Sequence, residues 1–284
     1  MIKGIILDVD GVLVGGKQGY NWPNPHSDVI STLKKLREKG IVISLCTGKG
    51  TFAIKKIVKE AHLNNIHIGD GGAVVVDFLN NKVIMKHTIE KKLAIKIIED
   101  LQQNNIYLEV YTVDNYYIEK EKINENLKNI HAAILYRQPI ITESFKKLIK
   151  NFNVVKIMPI PKNSIQKQSV IDIYDSYKNL LSLQWGVHPT ALPANFGLIT
   201  KKGISKRQAA ITISKAVNIS LKNFLGVGDG LTDWNFMEIC GYAGAMGNAS
   251  QELKDLVKAR NKSGFIGPTV DENGILEIFN HFGL

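Results

Sequence analysis

The chain opens on an unbroken apolar run, Ile5-Ile6-Leu7, that ends in Asp8-Val9-Asp10-Gly11. No polar residue alternates through the run, which predicts a strand buried on both faces, as in a parallel sheet covered by helices. Val29, Ile30, Leu33 and Leu36 then recur at helical spacing, between Ser27 or Asp28 as candidate caps and Gly40 as a stop. A second strand is predicted over residues 41–46, a helix over 51–61 and a short strand over 66–68. This β-α-β-α-β order predicts a parallel sheet with right-handed crossovers.

Beyond residue 68 the rhythm changes. Two short strand patterns, 73–77 and 82–87, flank Asn80-Asn81 and predict a hairpin. Helices are predicted over 93–103, 144–151 and 169–177, and strands over 106–113, 116–119, 154–160 and 181–187. The βα alternation resumes after Pro193, with an extended stretch at 196–199 and a helix over 203–217. A strand over 224–227 and a short helix carrying Trp234, Phe236 and Met237 follow. A strand over 242–246 and helices over 251–258 and 272–282 complete the chain. The predicted architecture is therefore α/β: a doubly wound, mostly parallel Rossmann-like core formed by residues 1–85 and 191–284. An α+β domain, residues 86–190, is inserted into it, since loops of a stable scaffold tolerate insertions.

Composition narrows the function classes. The 284 residues suffice for two domains. The net charge of +10 comes from Lys interleaved with Glu and Asn, with no run of five basic residues. That favours steering of small anions over a nucleic-acid surface. The two cysteines, Cys46 and Cys240, lie in apolar segments and form no zinc spacing or disulfide framework. The seven histidines show no ligand spacing either. No apolar run approaches the roughly 20 residues of a membrane span. The chain starts directly on its first strand with no charged-then-apolar leader, so a cytoplasmic protein is expected.

Polar groups recur at predicted strand ends, where open α/β sheets bind their ligands. Asp8 and Asp10 are two apart, so along an extended chain they point to one side. Two carboxylates so close repel unless a cation joins them, and oxygen ligands of this kind suit a divalent metal. Thr47-Gly48 follows the second strand, Asp229 and Asp233 follow a late one, and Lys206 starts the helix before it. This inventory suits metal-assisted phosphoryl transfer through an enzyme carboxylate: a nucleophile, an acid/base, and donors for the equatorial oxygens.

Four motifs in order carry a resemblance. They are Leu7-Asp8-Val9-Asp10-Gly11-Val12, Cys46-Thr47-Gly48-Lys49, Lys202-Gly203-Ile204-Ser205-Lys206, and Gly228-Asp229-Gly230-Leu231-Thr232-Asp233, with a cap-sized insert between the second and third. Downstream, Met246-Gly247-Asn248-Ala249 and Glu272-Asn273-Gly274-Ile275 extend the likeness. Together they resemble the haloacid dehalogenase superfamily of phosphatases, Cof-type, with the class IIB cap. The resemblance implies Asp8 as nucleophile and magnesium ligand, and Asp10 as general acid and base that also ligates the metal. It implies Asp229 as a further Mg2+ ligand, and Thr47, Gly48 and Lys206 as binders of the transferring phosphoryl group. Asp233 and Lys49 are supporting residues on this reading. Thr232 stands where the family often has Asn, Lys49 where Arg is frequent and Val12 where Thr is frequent. These departures bear on rate and substrate rather than on the reaction class.

The expected activity is hydrolysis of small phosphorylated metabolites, sugar phosphates foremost, by a monomer or homodimer that binds neither nucleic acid nor membrane. A cap would close over the site and read the leaving group. Two other readings use the same residues: a phosphosugar mutase, and a phospho-acceptor module that does not turn over. Asp10 speaks against the latter, because a stored acyl-phosphate needs no neighbouring acid/base.

Overall fold

The structure, a computed structural model, describes residues 1–188 and 191–284. Its internal contacts divide the chain into two units. The first comprises residues 1–47, 54–84 and 205–284, and the second residues 48–53 and 85–204. Among the described residues no helix is long and apolar enough to cross a membrane.

The chain begins with β1 (Gly4–Leu7), α1 (Ser27–Glu38), β2 (Val42–Leu45), α2 (Lys55–Glu60), β3 (Ile66–Gly69), β4 (Val74–Asp77) and β5 (Lys82–Lys86). Every residue of β1 is buried, as its apolar run predicts. The cap of α1 is neither Ser27 nor Asp28. His26 Nδ1 accepts the backbone N–H of Asp28 at 3.2 Å, an imidazole lone pair doing what a cap oxygen does for an orphan donor. β3 was expected in the parallel sheet beside β2. Instead the turn at Asp70–Gly72 folds β4 back onto it, in antiparallel register from Ile66↔Asp77 to Gly69↔Val74. The link to β2 reduces to one parallel bridge, Cys46↔Ile68.

The second unit holds α3 (Lys91–Gln103), β6 (Leu108–Tyr111), β7 (Tyr116–Glu119), α4 (Glu125–Leu135), β8 (Ile140–Thr142), α5 (Phe145–Asn151), β9 (Lys156–Pro159), α6 (Ser164–Asp175), β10 (Leu181–Gly186) and β11 (Phe196–Lys201). Its sheet runs β10-β11-β9-β6-β7-β8. Leu108, Val110, Ile157 and Ile199 pack with Ile97, Leu101, Leu148 and Val170 from α3, α5 and α6. The alternate positions Glu109, Tyr111 and Lys156 are buried too, but in a polar network. Glu109 accepts from Tyr111 Oη at 2.8 Å and Tyr107 Oη at 3.3 Å, and pairs with His131 Nδ1 at 2.7 Å. Satisfied in this way, a buried carboxylate specifies one packing rather than weakening it.

β11 corrects the expected boundary at residue 191. It pairs antiparallel with β10 along its whole length, from Leu181↔Lys201 to Gly186↔Phe196, and so belongs to the second unit. The chain re-enters the first unit at Ser205. The expected end of the insert at residue 190 lies outside the described residues.

From Ser205 the first unit is completed by α7 (Lys206–Ala216), β12 (Phe224–Gly228), α8 (Trp234–Met237), β13 (Tyr242–Ala245), α9 (Gln251–Lys258), β14 (Gly264–Ile266) and α10 (Ile275–His281). Its five-stranded sheet has the order β14-β13-β12-β1-β2, and every neighbouring pair is parallel. From β1 the chain winds to β2 on one side and later to β12, β13 and β14 on the other. The winding direction therefore switches between β1 and β12, and the carboxyl ends of those two strands open the crevice where such sheets bind ligands.

Candidate active site

Three strands of the first unit deliver the candidate residues to one edge. Leu7 lies opposite both Val227 and Leu45, so Asp8, Thr47 and Asp229 follow at neighbouring levels. Asp8 is still tied to the ladder, its N–H donating to Val227 O at 3.0 Å. Asp10 follows and is half-buried. Gly11 has φ +79°, and a Cβ there would lie 1.9 Å from Asp229 Oδ2. Only glycine lets the late carboxylate pack against the first loop. Thr47 is buried, its N–H donating to Ile68 O at 3.1 Å and its carbonyl accepting from Gly71 N at 3.0 Å.

Lys206, the first residue of α7, is delivered by an unexpected glycine. Gly72 has φ +105°, and a Cβ there would stand 2.4 Å from Ser205 O. Only a glycine at this turn lets the start of α7 come so close. Lys206 Nζ donates to Asp8 Oδ1 at 2.7 Å and to Asp233 Oδ1 at 2.6 Å, and lies 5.9 Å from the ring centroid of Phe236. The ammonium is thus held between two carboxylates and over an aromatic face. Asp233 spends its other oxygen on its own loop, Oδ2 accepting from Asp229 N at 3.1 Å and Gly230 N at 3.0 Å. It anchors both the lysine and the backbone that carries Asp229.

The charges are out of balance. Burial, reinforced by the charge of Asp233, pushes Asp8 up to about 7. Burial and the charge of Asp8 hold Asp229 well above the usual carboxylate range. Burial opposes the Lys206 ammonium, but Asp233 and Asp8 outweigh it and keep the lysine well above its ordinary value. A cation beside Asp8 and Asp229 would resolve the excess. One carboxylate oxygen each from Asp8, Asp229 and Asp233 lie within 4.8 Å of one another, an all-oxygen donor set that suits Mg2+. Of the three, Asp233 already has both oxygens engaged, which leaves Asp8 and Asp229 as the better donors. The residues fit a hard divalent cation.

Asp8, Lys206, Asp233 and Asp229 thus form one cluster, with Asp10 close enough for its charge to raise both Asp8 and Asp229. Gly48 and Lys49 group with the second unit. There Lys156 Nζ donates to Gly48 O at 2.9 Å, and Lys49 is buried. Cys46 is buried and its thiol is pushed up, mainly by that burial, so it remains a small hydrophobe. His67 is structural. Burial lowers it to about 4, and the neutral ring accepts Leu45 N–H at Nδ1 and faces Leu63 O from Nε2. Two contributors have no role in the sequence reading. One is Gly72, which lets the start of α7 approach the site. The other is Asn248, quoted only as part of a tail motif.

Comparison with known proteins gives this geometry its setting. The sequence model of the haloacid dehalogenase-like hydrolase family matches residues 5–279. The chain is 26% identical to the phosphatase YwpJ of Bacillus subtilis, over 99% of both chains. Its fold is similar to that of a haloacid dehalogenase-like hydrolase from Bacteroides thetaiotaomicron, with a TM-score of 0.82 and 18% identity over 99% of this chain and 100% of that one. It is also similar to a solved sugar phosphatase of haloacid dehalogenase subclass IIB, with a TM-score of 0.80 and 23% identity over 99% of both chains.

Proposed function

The chain belongs to the haloacid dehalogenase-like hydrolases, and from that membership we propose that it is a phosphatase of small phosphorylated metabolites, sugar phosphates foremost. The observation that carries this reading is the buried bridge from Lys206 Nζ to Asp8 Oδ1 at 2.7 Å and to Asp233 Oδ1 at 2.6 Å, with Asp229 beside it. A nucleophile, a fixed ammonium and a cation-binding carboxylate then converge where phosphorus would sit. The phosphatase name of the Bacillus subtilis relative supports the reaction, and the sugar phosphatase among proteins of like fold supports the substrate class.

On this reading an Asp8 carboxylate oxygen attacks phosphorus and the bond to the ester oxygen breaks. Asp10, protonated, gives its proton to the departing oxygen, so an alcohol and an aspartyl-phosphate on Asp8 result. Asp10, now ionised, takes a proton from water as the water oxygen attacks phosphorus. The bond to Asp8 breaks, and inorganic phosphate and the free carboxylate are released. Lys206 holds charge on the transferring group, and Thr47 offers it a hydroxyl. Asp8 and Asp229, with the backbone carbonyl of Asp10, would hold Mg2+, which when bound supplies positive charge for the phosphoryl oxygens. A screen of phosphorylated metabolites with magnesium, reading free phosphate, tests the proposal. Release from sugar phosphates supports it, and no release from any ester overturns it.

Two quantitative expectations follow from the same residues. Thr47→Val should lower kcat/KM for a generic aryl phosphate by about 10²-fold with the fold intact, the cost of one oxyanion donor. An unchanged kcat/KM would remove Thr47 from the site. The second concerns pH. With Asp8 raised to about 7 and Asp229 raised as well, the cation-free folded chain keeps protons that the unfolded chain has released. Their contribution to stability is fully present below the unfolded carboxylate pKa and is lost as pH rises through 7. Without divalent cations, Tm should therefore be lower at about pH 8 than at about pH 5.5, and magnesium should raise it at the higher pH. EDTA should stop turnover. A Tm indifferent to magnesium, with turnover in EDTA, would contradict the metal role.

A further inference from the structure

Asp229 packs against Gly11 in the first unit, and a side chain from elsewhere in the same unit holds the two together. Asn248 Nδ2 donates to Gly11 O at 3.0 Å and to Asp229 Oδ2 at 3.3 Å. Its orientation is fixed from the other end, because Oδ1 accepts Val270 N–H at 2.8 Å. A flipped amide would set its oxygen against the Gly11 carbonyl and the Asp229 carboxylate, and its nitrogen against a donor. Val270 in turn sits in a braced turn. Thr269 N and Oγ1 donate to Glu272 Oε2 at 3.0 and 2.6 Å, and Asn21 Nδ2 donates to Val270 O at 3.0 Å. The amide therefore reaches the carboxylate already oriented.

We propose that Asn248 is a positioning residue for the cation site, setting the Asp229 carboxylate relative to the loop that carries Asp10 and Gly11. This rests on the reading of Asp229 as a cation ligand. A half-buried carboxylate crowded by Asp8 needs a donor to hold one oxygen, so that the other is presented to the metal. Among the described residues the side-chain donor recorded on Asp229 Oδ2 is this amide. Outer partners of this kind govern metal affinity by about 10- to 100-fold.

The test is magnesium binding to the substrate-free protein by calorimetry, with the cation-free Tm and kcat at saturating magnesium measured alongside. Asn248→Ala should weaken magnesium binding by about 10-fold or more, while kcat at saturating magnesium stays within a few-fold of the parent. Asn248→Ser, small, polar and too short to reach Asp229, should behave alike and serves if the alanine variant does not fold. Glu272→Ala loosens the same turn without touching the amide. It should lower Tm and weaken magnesium binding less than the Asn248 variants do, because the amide stays within reach of Asp229. Unchanged affinity in both Asn248 variants, or an equal loss in Glu272→Ala, overturns the positioning role while leaving Asp229 as ligand. If Asp229→Asn binds magnesium like the parent, both the ligand assignment and the positioning role fall.

Discussion

Asp8→Asn should fold and release no phosphate above background, a loss of roughly 10⁴-fold or more, as expected when a nucleophile is removed. The amide keeps the shape of the carboxylate and an oxygen that can accept from Lys206 Nζ, which Asp8 Oδ1 does at 2.7 Å. What is lost is the charged oxygen that attacks phosphorus in the proposed mechanism, and one anionic ligand for the proposed cation. The effect on stability should run the other way. Burial pushes Asp8 up to about 7, so its charge is unwelcome in the cation-free fold. At about pH 8 without divalent cations, the variant should melt no lower than its parent. Parent-like turnover would exclude Asp8 as the attacking group. A variant that is inactive but also unfolded would refute the claim that the charge is kept for chemistry at the expense of stability.

Lys206→Met should be costly in both respects. The lysine bridges Asp8 and Asp233 from a side chain only 7% exposed. Removing it leaves buried carboxylates facing one another, a change that typically costs about 3–5 kcal/mol. The pH dependence has a definite sign. Lys206 is held well above its usual value, so its charge persists across the neutral range, and Asp8 gains its own as pH rises through about 7. The gap in Tm between variant and parent should therefore widen from about pH 5 to about pH 8. Methionine keeps the length and the contact with Phe236 while removing the charge. kcat/KM should fall by about 10³-fold or more through loss of transition-state charge stabilisation. An equal Tm gap at both pH values would mean that the bridge does not depend on ionised carboxylates.

The candidate site was legible where the chain itself brings its residues together. Asp8 and Asp10 share one strand end, and Asp229 and Asp233 share one loop, so spacing alone pairs them. The bridge from Lys206 to Asp8 joins residues 198 apart, and only the order of the motifs could anticipate it. Asn248 was invisible as a working residue because its amide is oriented by the turn around Val270, which is close in space and distant in sequence. The fold was misread for related reasons. The apolar run of β11 is suited to either sheet, and its antiparallel pairing with β10, not its composition, draws it into the second unit. β14 is three residues long and begins with glycine, too short to show a period. α4 passed unnoticed because Asn124, Asn126 and Asn129 crowd its start with residues that favour turns, although Asn124 turns out to cap it, accepting Leu127 N–H at 3.1 Å.

The most direct measurement is the stereochemical course at phosphorus. The protein would be given a phosphate monoester made chiral by its three oxygen isotopes, with an added alcohol to accept the phosphoryl group. Each in-line displacement inverts phosphorus, so transfer through Asp8 takes two displacements and should give net retention. Net inversion would mean one direct displacement by the acceptor and would contradict an aspartyl-phosphate on Asp8.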